Sequence, residues 1–90
     1  MNESVWVFHG DGATFSSGVF SDYSQAESWI NKHSLTGLLT EYPLNQGVYD
    51  WCLEKDYFTP KKPLHYEAKF IGRFTSASQE HFRFEDGKAL

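Results

Sequence analysis

The sequence of 90 residues lacks several features that would indicate a particular chemistry. Its only cysteine is Cys52, which excludes an internal disulfide and any CxxC metal or redox motif. It has no long apolar run, and the first residues, MNESVWVFHGDG, contain no Lys or Arg, so we predict neither a membrane span nor a signal peptide. We therefore expect a protein that works in the cytoplasm and has no membrane partner.

Basic residues are also scarce. Eight Lys and Arg stand against twelve Asp and Glu, which gives a formal net charge of −4. The only short basic cluster is Lys61-Lys62. A protein that binds nucleic acid normally presents a basic face, because contacts to phosphates dominate its affinity. We therefore expect no nucleic-acid partner.

Aliphatic side chains are few, whereas aromatic side chains are many. The chain has eight Phe, five Tyr and three Trp, which make up 18% of it. Each ring buries a large apolar area, so rings suit the core of a short chain and leave some aromatic surface for a partner. A chain of this length is expected to form one domain, 1–90, with an ordered core over about residues 5–86.

The first part of the chain predicts a hairpin, a helix and a further strand. Strands are expected at 5–9, 13–20 and 38–44, because these stretches are rich in β-branched and aromatic residues. Gly10-Asp11-Gly12 supplies the turn of the hairpin. Pro43 should lie at the end of its strand or at a sheet edge, because it cannot donate to a ladder.

The helix between these strands carries the clearest local signals. It should begin at Ser21 or Asp22, with Asp22 and Gln25 forming a capping box, and end at Thr36-Gly37. Helical spacing gives it one apolar stripe. The stripe consists of Ala26, Trp29, Ile30 and His33.

The second half predicts a short helix and a C-terminal hairpin. Helical spacing of apolar residues favours a helix at 47–56, and two prolines predict a loop at 59–63. Alternating Phe residues predict strands at 66–74 and 80–85, followed by a frayed tail at 86–90. The order β-β-α-β-(α)-β-β indicates an α+β fold with a four- to five-stranded, mainly antiparallel sheet. The main helix should pack on one face, and the short helix on the other face or at an edge.

Patterns that could suggest a reaction have simpler interpretations. His9-Gly10-Asp11-Gly12 matches no phosphate-binding loop and is interpreted as a turn. The four histidines are too widely spaced for a zinc site, and Cys52 lies within a predicted helix as a buried core residue rather than a nucleophile. We therefore expect no catalytic residue, no metal and no cofactor.

Two groups of residues are left as candidate binding sites. Rings crowd around the short helix, and Tyr and Trp are common anchors at protein interfaces. The interface candidates are Tyr49, Trp51, Tyr57 and Phe58. The polar loop Thr75–His81 could be a recognition loop on a rigid hairpin, or a turn rich in hydrogen bonds. The ligand-binding candidates in and beside it are Arg73, Gln79, Glu80, His81 and Arg83.

The segments VWVFHG, GVFS, GLLTEYP, GVYDW and FIGRFTSASQEHFRFEDG together give the chain a resemblance to a known family. The chain resembles a family of small bacterial α+β domains of unknown function, over residues 5–87. The last segment is the most distinctive one. The resemblance implies a stand-alone, soluble bacterial protein; it implies no activity and provides no catalytic residue.

These observations favour a non-enzymatic protein-binding module, whose partner is another protein or a second copy of this chain. The acidic balance would suit an immunity-type protein that blocks a basic toxin. The alternative is a small-molecule-binding domain, or a minor enzyme, with its site between the C-terminal hairpin and the main helix.

Overall fold

The computed structural model describes residues 3–90 and contains a five-stranded sheet. Its strands are β1 (Ser4–Gly10), β2 (Gly18–Phe20), β3 (Gly37–Pro43), β4 (His81–Glu85) and β5 (Lys88–Ala89). All neighbouring strands are antiparallel, in the order β2-β1-β3-β4-β5. The predicted α+β class and the antiparallel sheet are confirmed.

Three helices and one 3-10 turn complete the fold. They are α1 (Tyr23–His33), α2 (Val48–Glu54), the 3-10 turn Pro63–Tyr66 and α3 (Ala68–Gly72). Within residues 3–90, every helix is too short or too polar to cross a membrane.

Helix α1 begins as its sequence predicts. A carboxylate oxygen of Asp22 accepts a hydrogen bond from the backbone N–H of Gln25 at 2.9 Å, which satisfies one of the free amides of the first turn. The helix ends at His33, earlier than the predicted Thr36-Gly37. The reason is that Ser34 takes the left-handed conformation, with φ of 54°, and closes the last turn.

Helix α1 packs on one face of the sheet and forms the main core there. Five residues of this core are almost completely buried, and partly buried rings surround them. The buried residues are Phe8, Ala26, Ile30, Leu39 and Phe84. Ala26 and Ile30 therefore confirm the predicted apolar stripe. His33 is exposed, and its ring lies beside that of Trp29, with 5.8 Å between the ring centroids.

The strand predicted at 13–20 is shorter than expected, because only Gly18–Phe20 pairs with β1. The residues before it form an exposed loop, and Phe15 in this loop is 80% exposed. The His9 ring holds the loop, since Nε2 donates to the carbonyl of Ala13 at 2.7 Å and Nδ1 lies 3.2 Å from the hydroxyl of Ser16. These side-chain contacts replace the ladder that a longer strand would have formed.

The strand predicted at 66–74 is wrong, and so is the hairpin that it would form with 80–85. This stretch contains the end of the 3-10 turn and all of α3. Phe70 and Phe74 alternate as in a strand, but they are also one helical turn apart. Both rings pack against Tyr49 of α2, with centroid distances of 6.4 and 5.5 Å, so tertiary contacts favour the helix. The strand β4 pairs instead with β3 and β5.

The frayed tail predicted at 86–90 is also wrong, because residues 88–89 form β5. Asp86 and Gly87 make the connection to β4 with positive φ values of 51° and 85°, as a tight hairpin turn of the primed type requires. Gly87 is buried against α1: its N–H donates to the carbonyl of Leu35 at 2.8 Å, and its carbonyl accepts from the side chain of Asn31. The helix thus holds the turn in place.

Among the described residues, no helix covers the central part of the other sheet face. Val19 is 65% exposed and Leu38 is 39% exposed on that face. Helix α2 instead follows the Pro43 end of β3, the central strand of the sheet, and contacts that strand. Residues 44–80, which we call the helical segment, thus form a second packing unit beside the sheet and α1, which we call the sheet unit.

Candidate functional site

The helical segment has its own core of rings, which we call the aromatic cluster. Its members are Tyr49, Phe58, His65, Phe70 and Phe74. Tyr49 is the most buried of them, with 6% of its surface exposed, and its hydroxyl donates to the carbonyl of His65 at 2.8 Å. This hydrogen bond ties α2 to the 3-10 turn. Tyr49 and Phe58 therefore support the position of α2.

The imidazole of His65 organises the loop before the 3-10 turn. Its Nδ1 accepts hydrogen bonds from the backbone N–H groups of Lys61 at 3.0 Å and Lys62 at 3.4 Å. Its ring lies 4.9 Å from that of Phe70, measured between centroids. The short helices of this segment are thus held by one histidine and by ring contacts.

The other two aromatic candidates lie together outside the aromatic cluster. The rings of Trp51 and Tyr57 meet edge to face, with centroids 5.3 Å apart. Tyr57 comes directly after Asp56, whose φ of 62° ends α2, and its side chain is 53% exposed. Trp51 is half-buried. The pair is an accessible aromatic surface formed by α2 and the residues that follow it, and Tyr49 holds this helix on the aromatic cluster.

This aromatic pair lines a cleft between α2 and the Pro43 end of the sheet, which we call the junction cleft. The cleft has a volume of about 370 Å³. It brings together residues from both candidate groups, with several others that the sequence did not single out. Its lining residues include Glu3, Glu41, Leu44, Trp51, Lys55, Tyr57, Gln79 and Glu80.

Gln79 fixes the polar loop at one side of this cleft. It is only 3% exposed; its Oε1 accepts from the backbone N–H of Ser76 at 3.0 Å, and its Nε2 donates to the carbonyl of Glu41 at 3.1 Å. The backbone N–H of Glu41 also donates to the carbonyl of Glu80 at 2.9 Å. The amide group of Gln79 therefore positions the loop. Glu80 remains exposed at the rim of the cleft.

The junction cleft is acidic. Among residues 3–90, the lining includes three carboxylates, those of Glu3, Glu41 and Glu80, and one cation, Lys55. The Glu41 carboxylate accepts a hydrogen bond from the hydroxyl of Ser4 on the adjacent strand. Glu41 was not a candidate from the sequence, because a single glutamate in a strand carries no signal of its own. The pairing of β1 with β3, together with the loop before β4, brings it beside the other carboxylates.

The remaining ligand-binding candidates do not join this cleft. Phe82 and Phe84 of β4 lie on the face of the sheet that packs against α1. His81 and Arg83 alternate with them along the strand, so their side chains lie on the opposite face. The Nδ1 of His81 bonds the carbonyl of Gln79 at 2.7 Å. Arg73 lies in a separate groove on α3. The five candidates thus occupy different surfaces, and rings fill the space between β4 and α1.

Arg83 has a partner within the sheet unit. Its Nη1 donates to Asp11 at 2.7 Å, across the sheet from the loop after β1. The hydrogen bond from Arg83, with the charge of its guanidinium, holds the pKa of Asp11 below its ordinary value. The same contact raises the pKa of Arg83. Both groups are solvent-exposed, so this pair is a surface clasp between a loop and a strand.

A family model described as a domain of unknown function (DUF7710) matches residues 5–90, and the chain therefore belongs to that family. The resemblance inferred from the sequence segments is thereby confirmed as one to a family of unknown function. Comparisons with curated proteins and with solved structures found no significant match. The function is therefore inferred from the chemistry of the cleft and of the surfaces around it.

Proposed function

We propose that this member of the DUF7710 family is a non-enzymatic protein-binding module, and that its junction cleft receives a basic side chain of the partner. One observation carries this proposal: the accessible Trp51–Tyr57 pair shares a cleft with three carboxylates. An aromatic surface and a cluster of negative charge are the two features that attract a Lys or Arg side chain.

Arginine suits the cleft better than lysine. Its planar guanidinium stacks on an aromatic ring and forms paired hydrogen bonds with a carboxylate at the same time. Tyr57 offers the exposed ring, Glu80 lies at the rim, and Leu44, which is 42% exposed, offers an apolar contact for the aliphatic stem. The four interface candidates thus divide into Trp51 and Tyr57 at the surface, and Tyr49 and Phe58 beneath.

The charge of the whole chain supports the same partner class. A net charge of −4 accelerates the encounter with a basic protein through long-range attraction. The immunity-type role, in which an acidic protein covers a basic toxin, is the most specific form of this proposal. A second copy of the chain is the other partner within the same class.

We place this function in the bacterial cytoplasm. Cys52 is a free, buried thiol, and a protein without disulfides suits a reducing compartment. The alternative of a small-molecule-binding domain or minor enzyme near β4 has less support, because the five residues proposed for it lie on different surfaces.

The test is a pull-down from the source cell with the tagged protein, followed by mass spectrometry and by titration of the recovered partner. Tyr57→Ala and Glu80→Gln should each weaken binding about tenfold, the effect expected of losing an interaction of about 1.4 kcal/mol with a cation. Tyr66→Ala is the matched control, because Tyr66 is another exposed tyrosine, 65% exposed and outside the cleft.

A basic partner that is lost with Tyr57→Ala and kept with Tyr66→Ala would support the proposal. Equal retention by both variants would place the interface elsewhere. Recovery of a bound metabolite and no protein would favour the alternative function.

A further inference from the structure

A second depression lies on the helical segment, and we call it the α3 groove. It has a volume of about 480 Å³ and shares no lining residue with the junction cleft. Its lining residues are Leu64, Glu67, Lys69, Phe70, Arg73, Phe74 and Thr75. It is therefore a separate surface, and its role is independent of the role proposed for the junction cleft.

The floor of the α3 groove is apolar and accessible. Phe70 and Phe74 are the outer rings of the aromatic cluster and are only partly buried. Leu64 of the 3-10 turn also lines the groove, with 52% of its surface exposed. Apolar side chains grouped in this way in a concave surface are typical of binding grooves.

The surroundings of this groove have the opposite charge to the rest of the chain. Residues 57–75 contain Lys61, Lys62, Lys69 and Arg73 against one acidic residue, Glu67, a net charge of +3. Because the whole chain carries −4, the other residues together carry −7. In the part of the chain that the structure describes, the ion pairs involve Arg83 and leave the lining residues Lys69 and Arg73 without an anionic partner.

We propose that the α3 groove binds an acidic peptide segment of a partner protein, with one apolar side chain seated on Phe70 and Phe74. Carboxylates beside this anchor pair with Lys69 and Arg73. The anchor supplies burial of apolar surface, and the carboxylates supply orientation, which is the usual division between the core and the rim of an interface.

A peptide fits this surface better than an anionic membrane or a nucleic acid. Charges interact over about 8 Å at physiological ionic strength, so a narrow peptide in the groove is influenced mainly by the local positive charge. A bilayer or a duplex is broad and would also approach the acidic remainder of a molecule that measures 44 × 32 × 20 Å. The net repulsion from that remainder opposes both of these partners.

The experiment is a fluorescence-anisotropy titration with a labelled synthetic peptide of Asp and Glu residues around a central Leu-Phe. The comparison peptide replaces Leu-Phe by Ser-Ser. Arg73→Glu is the test variant and Lys32→Glu its control, since both change the net charge equally and both residues lie at the C-terminal end of a helix. Circular dichroism of each variant verifies that it is folded.

We expect the Leu-Phe peptide to bind at least about tenfold more tightly than the Ser-Ser peptide, and Arg73→Glu to weaken its binding by a similar factor. Lys32→Glu should change the affinity by less than about twofold, since Lys32 is exposed on α1 and does not line the groove, and an exposed charge is largely screened by salt. The Tyr57→Ala variant should bind the peptide like the native protein, which separates this site from the junction cleft.

Three results would overturn the proposal. They are absence of peptide binding, equal losses in Arg73→Glu and Lys32→Glu, and equal affinity for the two peptides. Binding to vesicles of phosphatidylcholine with phosphatidylglycerol, but not to the acidic peptide, would assign the groove to a membrane surface instead.

Discussion

The sheet unit and the helical segment both rely on aromatic rings, but they close their cores to different degrees. In the sheet unit, Phe8, Leu39 and Phe84 are almost completely buried, because α1 covers the rings on one face of a continuous ladder. In the helical segment, Tyr49 is the buried ring, and Phe58, Phe70 and Phe74 keep part of their surface accessible.

The difference arises from the lengths of the elements. Helix α2 has seven residues, α3 has five and the 3-10 turn has four, and helices this short are not stable in isolation. They depend on ring contacts, on the Tyr49 hydroxyl and on the His65 imidazole. Both surfaces that we propose for binding border this segment, where rings remain accessible to a partner.

The largest expected effect comes from removing one ring from each core. Phe84→Ala should lower the free energy of unfolding by about 3–5 kcal/mol, because a fully buried ring leaves a cavity. Phe70→Ala should cost about 1–2 kcal/mol, in proportion to its partial burial. Urea unfolding measures both. If Phe70→Ala proved as costly as Phe84→Ala, the two cores would be equally closed and the comparison would fail.

Glycine substitutions provide a sharper test of packing. A Cβ added at Gly37 would lie 2.3 Å from the carbonyl oxygen of His9 on the paired strand, a contact that the backbone cannot relieve. Gly37→Ala should therefore destabilise the protein by about 1–3 kcal/mol. At Gly72, at the end of α3, nothing lies within 4 Å, so Gly72→Ala should be neutral or stabilise by up to about 1 kcal/mol.

Thermal or urea unfolding measures the change in stability of each variant, Gly37→Ala in the closely paired sheet and Gly72→Ala at the open end of α3. A loss of stability in Gly72→Ala similar to that in Gly37→Ala would mean that the helical segment is packed as closely as the sheet.

The smallest effect concerns the surface clasp between Asp11 and Arg83. Because the pKa of Asp11 is lower in the folded protein than in the unfolded chain, the clasp contributes stability above the ordinary pKa of an aspartate, about 3.9. This contribution is lost as the pH falls through the lowered pKa. Asp11→Asn should therefore be slightly less stable than the native protein at neutral pH, and the difference should vanish in acid.

The midpoints of urea unfolding of Asp11→Asn and of the native protein, at neutral pH and at a pH below the lowered pKa of Asp11, measure this difference in stability. The control is Asp56→Asn, since Asp56 has a left-handed backbone that Asn tolerates and forms no ion pair within residues 3–90. A pH-independent difference for Asp11→Asn would show that the clasp acts through hydrogen-bond geometry rather than through charge.

Local signals were sufficient for most of the sheet unit. Helix α1 begins at Asp22 because its side chain caps the first turn, and β1 and β3 coincide with runs of β-branched and aromatic residues. The strand β5 was missed, since two residues have no pattern of their own. The turn before it is held by contacts that are distant in sequence: Gly87 bonds Asn31 of α1 and the carbonyl of Leu35, and the N–H of Asp86 bonds the hydroxyl of Thr36.

The candidate site was predicted in part. The aromatic residues around α2 were recognised from composition, and the Thr75–His81 loop from its polarity. The sequence did not indicate that Trp51, Tyr57 and Glu80 share one cleft, nor that Glu41 lines it as well. Four chain segments meet at this cleft, and the spacing of residues within any one segment does not indicate that the segments come together.

By itself, the sequence determined the α+β class, the capped helix and the identity of the strands that carry continuous β propensity, because those properties depend on neighbours along the chain. Only the tertiary structure decided that residues 66–74 contain α3 and the end of the 3-10 turn rather than a strand. Phe70 and Phe74 satisfy the period of a strand and that of a helix equally, and their contacts with Tyr49 favour the helix. Only the tertiary structure, likewise, brings four chain segments together around the acidic cleft, which shares no lining residue with the basic groove.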